Sequence, residues 1–210
     1  MDELAAQPAS ASFVPPRSAS GDGVVITERQ NLTLATLQTR RGQHAALRAR
    51  VAARFHVDLP QRPAVGRTQS VSFVGVGPET WLVIAPDGGP SFVRSLKADV
   101  AGLASVSDQS GGHAIFRVGG RAVGATLAKL VPIDLDPAAF KVGDAATTVA
   151  AHVGVTLWRC PDGLDGEQVF ELSVFRSLAG SFLECFWDSA AEFGCRWDAQ
   201  PPRASTSPSR

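Results

Sequence analysis

The sequence predicts an α+β fold: two consecutive ferredoxin-like split βαβ units, with antiparallel sheets and the helices on one side. Three observations lead there. β-prone runs and amphipathic helical stretches follow one another in the order β-α-β-β-α-β, then β-α-β-β, then a closing β-α. Tight-turn chemistry joins successive strands at Gly77-Pro78-Glu79 and at Ser110-Gly111-Gly112. Gly75-x-Gly77, half of a dinucleotide fingerprint, lacks its third glycine and leads into a strand at Trp81 instead of a helix.

Residues 1–22 are rich in Ala, Ser and Pro without sustained periodicity, and read as a disordered or loosely docked arm. Phe13 and Val14 are its candidate anchors on a partner. The folded region is expected over 23–198, divided into units of about 23–110 and 111–198, and the tail 199–210 reads as disordered. Within the first unit, Leu32, Leu34 and Leu37 among threonines indicate a strand, and Gly42 to Phe55 a helix with Leu47, Val51 and Phe55 inward. Leu59-Pro60 and Pro63 form a connector. Two apolar runs over 71–85 make a hairpin, and Ser91 to Leu103 a helix with Phe92, Leu96, Val100 and Leu103 as its stripe.

Residues 104–143 are the stretch around which the chain is organised. Ala114, Phe116 and Val118 alternate with Ile115 and Arg117, as in a strand with one face on a core. Gly119-Gly120 breaks the strand, a helix runs from about Arg121 to Val131, and Pro132 ends it. Asp136 reads as an N-cap, with Pro137 at the first helical position and Phe140 closing a single turn. Two further β-prone runs lie between Ala145 and Arg159, and a strand runs from Val169 to Phe175. Ser177 is the expected N-cap of the closing helix, whose wide apolar face includes Phe182, Phe186 and Trp187; Gly194 is its natural stop.

Twenty basic and twenty acidic residues cancel, which points away from nucleic acid and anionic membrane surfaces. Seventeen of the twenty basic residues are arginine, suited to planar bidentate contacts where partners exist. Cys160, Cys185 and Cys195 form no C-x-x-C and leave one unpaired, so reduced thiols in the cytoplasm fit better than a disulfide framework. No apolar run approaches the ~20 residues that span a bilayer, and the amino-terminal residues lack the basic and apolar regions of a secretion signal.

The search for chemistry returns absences. His44, His56, His113 and His152 are far apart, and no His or Cys pair has metal-ligand spacing. No G-x-S-x-G occurs, and Asp134 and Asp136 sit where loop and cap residues belong. No catalytic, cofactor-binding or metal-binding residue is therefore assigned. The candidate partner contacts are Arg41 and Arg48 in a basic helix, Asp108, Gln109 and Ser110 beside the tight turn, and Arg176 between a strand and a helix start.

The run SDQSGGHAIFRVGGRAVGATLAKLVPIDLDPAAFKVGDAATTVAAHVGVTLWR resembles the gamma subunit of heterotetrameric bacterial sarcosine oxidase. The likeness rests on the D-Q-S turn between two strands, a helix leading into Pro132-Ile133-Asp134-Leu135, and Phe140 followed by Gly143. VFELSVFRSLAGSFLECFWDSAAEFG repeats the family's strand, Arg-Ser and closing helix. Together the matches span roughly 70–194. The resemblance implies a fold similar to the folate-binding domain of glycine-cleavage aminomethyltransferase. It also implies a non-catalytic accessory subunit without a cofactor of its own, packed against alpha, beta and delta subunits that hold FAD, FMN, NAD and zinc. The complex would demethylate sarcosine to glycine, pass the one-carbon unit to tetrahydrofolate and release hydrogen peroxide. Two other roles stay open: a stand-alone folate-binding protein of the aminomethyltransferase type, and a structural module of a related complex. The former group carries K-G-C-Y-x-G-Q-E, where this chain has KVGD and no nearby cysteine.

Overall fold

The computed structural model describes residues 7–15 and 21–198. The remainder of the arm and the tail from 199 lie outside the described residues. The elements are β1 (Val24–Arg29), β2 (Leu32–Thr39), α1 (His44–Phe55), β3 (Val65–Arg67), β4 (Ser72–Gly77), β5 (Thr80–Pro86), α2 (Gly89–Asp99) and β6 (Ala104–Asp108). There follow β7 (His113–Gly119), α3 (Val123–Ala128), β8 (Ala145–Ala150), β9 (Val153–Cys160), β10 (Val169–Phe175), α4 (Ala179–Ala190) and β11 (Cys195–Trp197).

The strands form two sheets, ordered β3-β4-β5-β2-β6 and β11-β1-β7-β10-β9-β8. Within the first, β2-α1-β4-β5-α2-β6 is a split βαβ unit with β3 added at one edge, and all its pairings are antiparallel. The second sheet is antiparallel except where β11 lies parallel to β1. The α+β class with antiparallel sheets is thus observed. The sequence assigns 23–110 to the first unit, but the pairing of β1 with β7 puts 24–29 in the second sheet. The reason is burial. Val24 and Ile26 are fully enclosed in the same cluster as Phe116, Phe182 and Phe186, a core that the first sheet cannot supply.

Each sheet carries helices on one face, and their other faces pack on each other, giving helix, sheet, sheet, helix layers. Ala35, Leu37, Leu47, Val51, Phe73, Trp81, Val93 and Leu96 fill the first outer core. The second outer core, under α3 and α4, is larger and includes Phe116, Leu127, Phe170, Phe182 and Trp187. Leu34, Val74, Leu82 and Ile84 of the first sheet meet Ile115, Trp158, Cys160 and Val169 of the second in the seam between them. The strand 113–119 is therefore buried on both faces, not one: Ile115 is in the seam while Ala114, Phe116 and Val118 face the helices. The β4 and β8 sides are stitched by Val65 N–H to the Gly143 carbonyl (2.8 Å), Ala145 N–H to the Pro63 carbonyl (3.1 Å) and Thr147 Oγ1 to the Val76 carbonyl (3.2 Å).

Local expectations hold in part. The hairpin at 77–79 and helix α1 form as anticipated, whereas α3 is shorter than 121–131 and α2 ends at Asp99. Asp136 accepts from Ala138 N–H (2.8 Å) and its carbonyl from Phe140 N–H (2.7 Å), closing the single turn. Ser177 does not cap α4. The chain enters that helix through a 3₁₀ turn, Arg176–Leu178, whose Arg176 carbonyl takes the Ala179 N–H. At the far end Gly194, at φ +78, stops the helix, and a Cβ there would lie 2.5 Å from Gly21 Cα.

Part of the amino-terminal stretch is packed on the chain itself. Ala9 N–H (2.8 Å) and Ser10 N–H (2.9 Å) donate to the Glu28 carboxylate, as does the Ser10 hydroxyl. Phe13, the sequence's candidate anchor on a partner, sits instead edge-on to Trp187 (5.8 Å between centroids) and beside Trp197 (6.0 Å). Trp187 is 5% exposed. Trp187→Ala is expected to cost ~3–5 kcal/mol through lost burial and the cavity left behind. Chemical denaturation of the two purified proteins measures it, and a change below ~1 kcal/mol would show that α4 adds little to the core.

Candidate functional site

At one end of the seam, where β1 hands over to β2 and β6 turns into β7, the two sheets diverge. Their separation leaves a cleft of about 270 Å³. Its polar wall comes from Glu28, Arg29, Asn31, Ser110, His113 and Arg176, and its apolar floor from Leu34, Ala114 and Ile115. Asn31 makes the crossover at φ +58, a left-handed conformation that Asn tolerates.

The 108–110 turn, at which the chain leaves the first sheet for the second, is pinned to β2. Asp108 Oδ1 accepts the Ser110 N–H (2.9 Å), and hydrogen bonds from Ser110 hold its carboxyl below the usual carboxylate value. Ser110 Oγ accepts from Leu34 N–H (3.1 Å) and donates to the Leu34 carbonyl (3.3 Å), and Gln109 N–H donates to the same carbonyl (2.8 Å). A residue triplet in the turn thus reproduces, for β2, the pairing that a strand would have offered. Across the turn, Arg176 N–H donates to the Gly112 carbonyl (2.9 Å) and its guanidinium to the Gln7 carbonyl.

Four of the six sequence-selected residues, Asp108, Gln109, Ser110 and Arg176, therefore gather at this end of the seam. Arg41 and Arg48 do not. They belong to the start of α1, where Gln61, oriented with its amide oxygen toward the guanidinium, accepts from Arg48 Nη1 (2.7 Å) and Nη2 (3.0 Å). Arg41 is exposed.

Two features of the site escaped the sequence reading. His113 packs its ring against Phe175 (4.7 Å between centroids), and its Nδ1 lies 3.0 Å from Ser173 Oγ. Ser173 is buried, so this contact orients the ring and does not expose a nucleophile. Deeper in the seam, Glu171 accepts from Arg29, from Arg117 (3.3 Å) and from Trp158 Nε1 (3.1 Å). The signal was present: Glu171 is the one charge inside VFELSVF, and a charge on a buried strand needs a partner. Burial, reinforced by the Glu171 charge, pushes the nearby Cys160 thiol up to about 11. That thiol stays protonated and serves as a small apolar filler. Among the described residues, no group of three or more His, Cys, Asp or Glu side chains is placed to hold a metal ion.

Family comparisons fit this architecture. The model of the sarcosine oxidase, gamma subunit family matches residues 41–192. The chain belongs to that family. It is 31% identical over 137 residues to a sarcosine oxidase subunit gamma from Corynebacterium sp. (strain P-1), a stretch covering 64% of this chain and 65% of that protein. A second, from Arthrobacter sp., is 34% identical over 119 residues, 55% of this chain and 56% of the relative. The matched stretch thus spans somewhat under two thirds of each relative's length. Shape extends further than sequence. A chain of the heterotetrameric sarcosine oxidase from Corynebacterium sp. U-96, solved in complex with pyrrole 2-carboxylate, superposes with a TM-score of 0.75 at 25% identity, covering 90% of this chain and 96% of that one. The glycine cleavage system aminomethyltransferase T of Bartonella henselae shares the fold, with a TM-score of 0.60 at 12% identity over 85% of this chain and 48% of that one. The family match includes the 108–110 turn, Glu171 with its partners Arg117 and Trp158, and Arg176. It starts after the arm, β1 and β2, and so leaves out Arg29.

Two outcomes follow from the site's electrostatics. Glu171→Ala leaves two guanidinium groups and an indole N–H without their acceptor. Because both arginines are partly exposed and can rehydrate, the expected loss is at the low end for a broken buried pair, ~2–3 kcal/mol by denaturant titration. Burial also holds His113 below its ordinary value of 6.5. The folded chain then binds that proton less tightly than the unfolded chain. This contribution to stability is present above the unfolded value and is lost as pH falls through the folded one. Urea midpoints at neutral and mildly acid pH should diverge less for His113→Gln than for the unaltered chain; equal divergence would exclude His113 as the source.

Proposed function

We propose that the chain is an accessory, non-catalytic gamma subunit of a heterotetrameric sarcosine oxidase. That complex oxidatively demethylates sarcosine to glycine, passes the one-carbon unit to tetrahydrofolate and releases hydrogen peroxide. The observation that carries this reading is the superposition on nearly the whole of one chain of such a heterotetramer. An accessory role also suits the seam, where the strongest charge cluster is spent internally on Glu171 and the one histidine of the cleft is held by a buried serine. In this reading alpha, beta and delta subunits are the partners and hold FAD, FMN, NAD and zinc. The work takes place in the cytoplasm, in keeping with three free cysteines and with the absence, among the described residues, of a helix long and apolar enough to cross a membrane.

Co-expression with the flavin-binding subunits should yield one complex that oxidises sarcosine with release of hydrogen peroxide. Leaving this chain out should reduce assembly or yield, while whatever complex forms keeps its flavins. The reading fails if those subunits assemble fully without it while the chain alone binds tetrahydrofolate at micromolar concentration. In that case the stand-alone folate protein takes its place.

A further inference from the structure

Exposed large apolar side chains are few among the described residues, and only two of them lie within one turn of each other. Phe175, the last residue of β10, is 54% exposed, and Leu178, closing the 3₁₀ turn, is 38% exposed. Between them stands Arg176. Its guanidinium meets a neutral carbonyl, that of Gln7, and among the described residues it forms no ion pair with a carboxylate. Seven of the other Lys and Arg side chains, Arg29, Arg54, Arg62, Arg117, Lys129, Arg159 and Arg196, each reach a carboxylate of this chain, and others among the described residues do not. What sets Arg176 apart is its place between two exposed apolar side chains.

The three residues are held in place. Phe175 lies against the His113 ring, and Arg176 N–H is bonded to the Gly112 carbonyl. Beside the guanidinium, the arm residues Gln7, Pro8, Ala9, Ala11 and Ser12 frame a shallow recess of about 340 Å³. Exposed apolar side chains cost least to bury when their conformations are already fixed, and arginine favours desolvated carboxylate pairs. Aromatic side chains and arginine are enriched at the core of protein interfaces, and Phe175 and Arg176 supply one of each.

We infer that Phe175, Arg176 and Leu178 form a subunit-docking surface, whose occupant is a partner-subunit patch of apolar side chains that carries a carboxylate onto Arg176. The inference rests on the subunit reading above and adds to it the place and the chemistry of contact. Glu28, the carboxylate that lines the same cleft as Arg176, is engaged with the arm, and Asp108 is engaged with Ser110, so the complementary charge comes from outside.

The test uses the full chain titrated onto the complex of the remaining subunits. Phe175→Ser combined with Leu178→Ser should weaken association at least ~10-fold. Arg176→Gln keeps a donor for the Gln7 carbonyl but removes the charge, and should weaken association while flattening its dependence on salt. Val149→Ser and Leu164→Ser, which alter exposed apolar residues elsewhere, should leave association unchanged. The altered apolar residues are exposed and Arg176 is half-buried, outside every core cluster, so each free variant should keep a cooperative thermal transition, which separates docking from folding. Wild-type association by the Phe175, Leu178 and Arg176 variants overturns the surface while leaving the subunit reading intact. Failure of the unaltered chain to associate removes both. If the free chain self-associates and the double variant abolishes only that, the occupant is a second copy and the inference is wrong.

Discussion

The face-to-face packing of the two sheets governs the rest of the molecule. Once one face of each sheet is covered by helices and the other by its neighbour, central strands keep little solvent-facing surface, and a carboxylate as buried as Glu171 must be satisfied within the chain. Glu171 meets this demand with two arginines and an indole drawn from β1, β7 and β9. One carboxylate thereby links three strands. The choice of arginine for its partners is chemically apt, because the planar guanidinium lies flat along a sheet surface and loses less hydration than an ammonium. Trp158 adds apolar bulk to the seam and an N–H donor to the same carboxylate.

Those parts of the fold that depend on local chemistry were legible in the sequence. Period-two alternation located β2 and β7, period-3.6 spacing located α1, α2 and α4, and Gly-Pro-Glu marked the hairpin turn. Long-range choices were not legible. Nothing local in VVITER says whether it continues the sheet of LTLATLQT two residues later or leaves for another, and only the completed core of Phe116, Phe182 and Phe186 decides. The short strands β3 and β11 are too brief to show a period. They exist because β4 and β1 each present an edge on which three residues can pair. Candidate site residues divided the same way. Asp108, Gln109 and Ser110 stood out through turn chemistry, whereas Glu28 gained its role only when the arm folded back on it.

The stitching between the sheets is asymmetric. On the β4 and β8 side, backbone hydrogen bonds and the Arg62–Asp144 pair close the seam almost as a continuous sheet would. On the β2 and β7 side, the 108–110 turn is bonded to Leu34 of its own sheet, and the cleft lies beside it. A fold that opens at one end and is sewn at the other presents its irregular loops, and hence its adaptable surface, on the open side.

Stability and docking use different residues here. The arm places Phe13 against Trp187 and Trp197, covering aromatic surface at the end of the helical layer, and sends the N–H groups of residues 9 and 10 to Glu28. That contact belongs to the folding core, since Trp187 is buried with it. Phe175 and Leu178 lie beyond its reach, at the point where β10 leaves the sheet and before α4 begins. Packing constrains β10 up to Val174, and α4 through its buried face from Ala179, so the intervening turn, like Glu184 and Asp188 on the outer face of α4, turns side chains outward without loss to the core. Change in that turn alters what the chain touches and leaves its layers standing. This is the separation a subunit needs when its fold is shared with proteins as distant as an aminomethyltransferase but its contacts are its own.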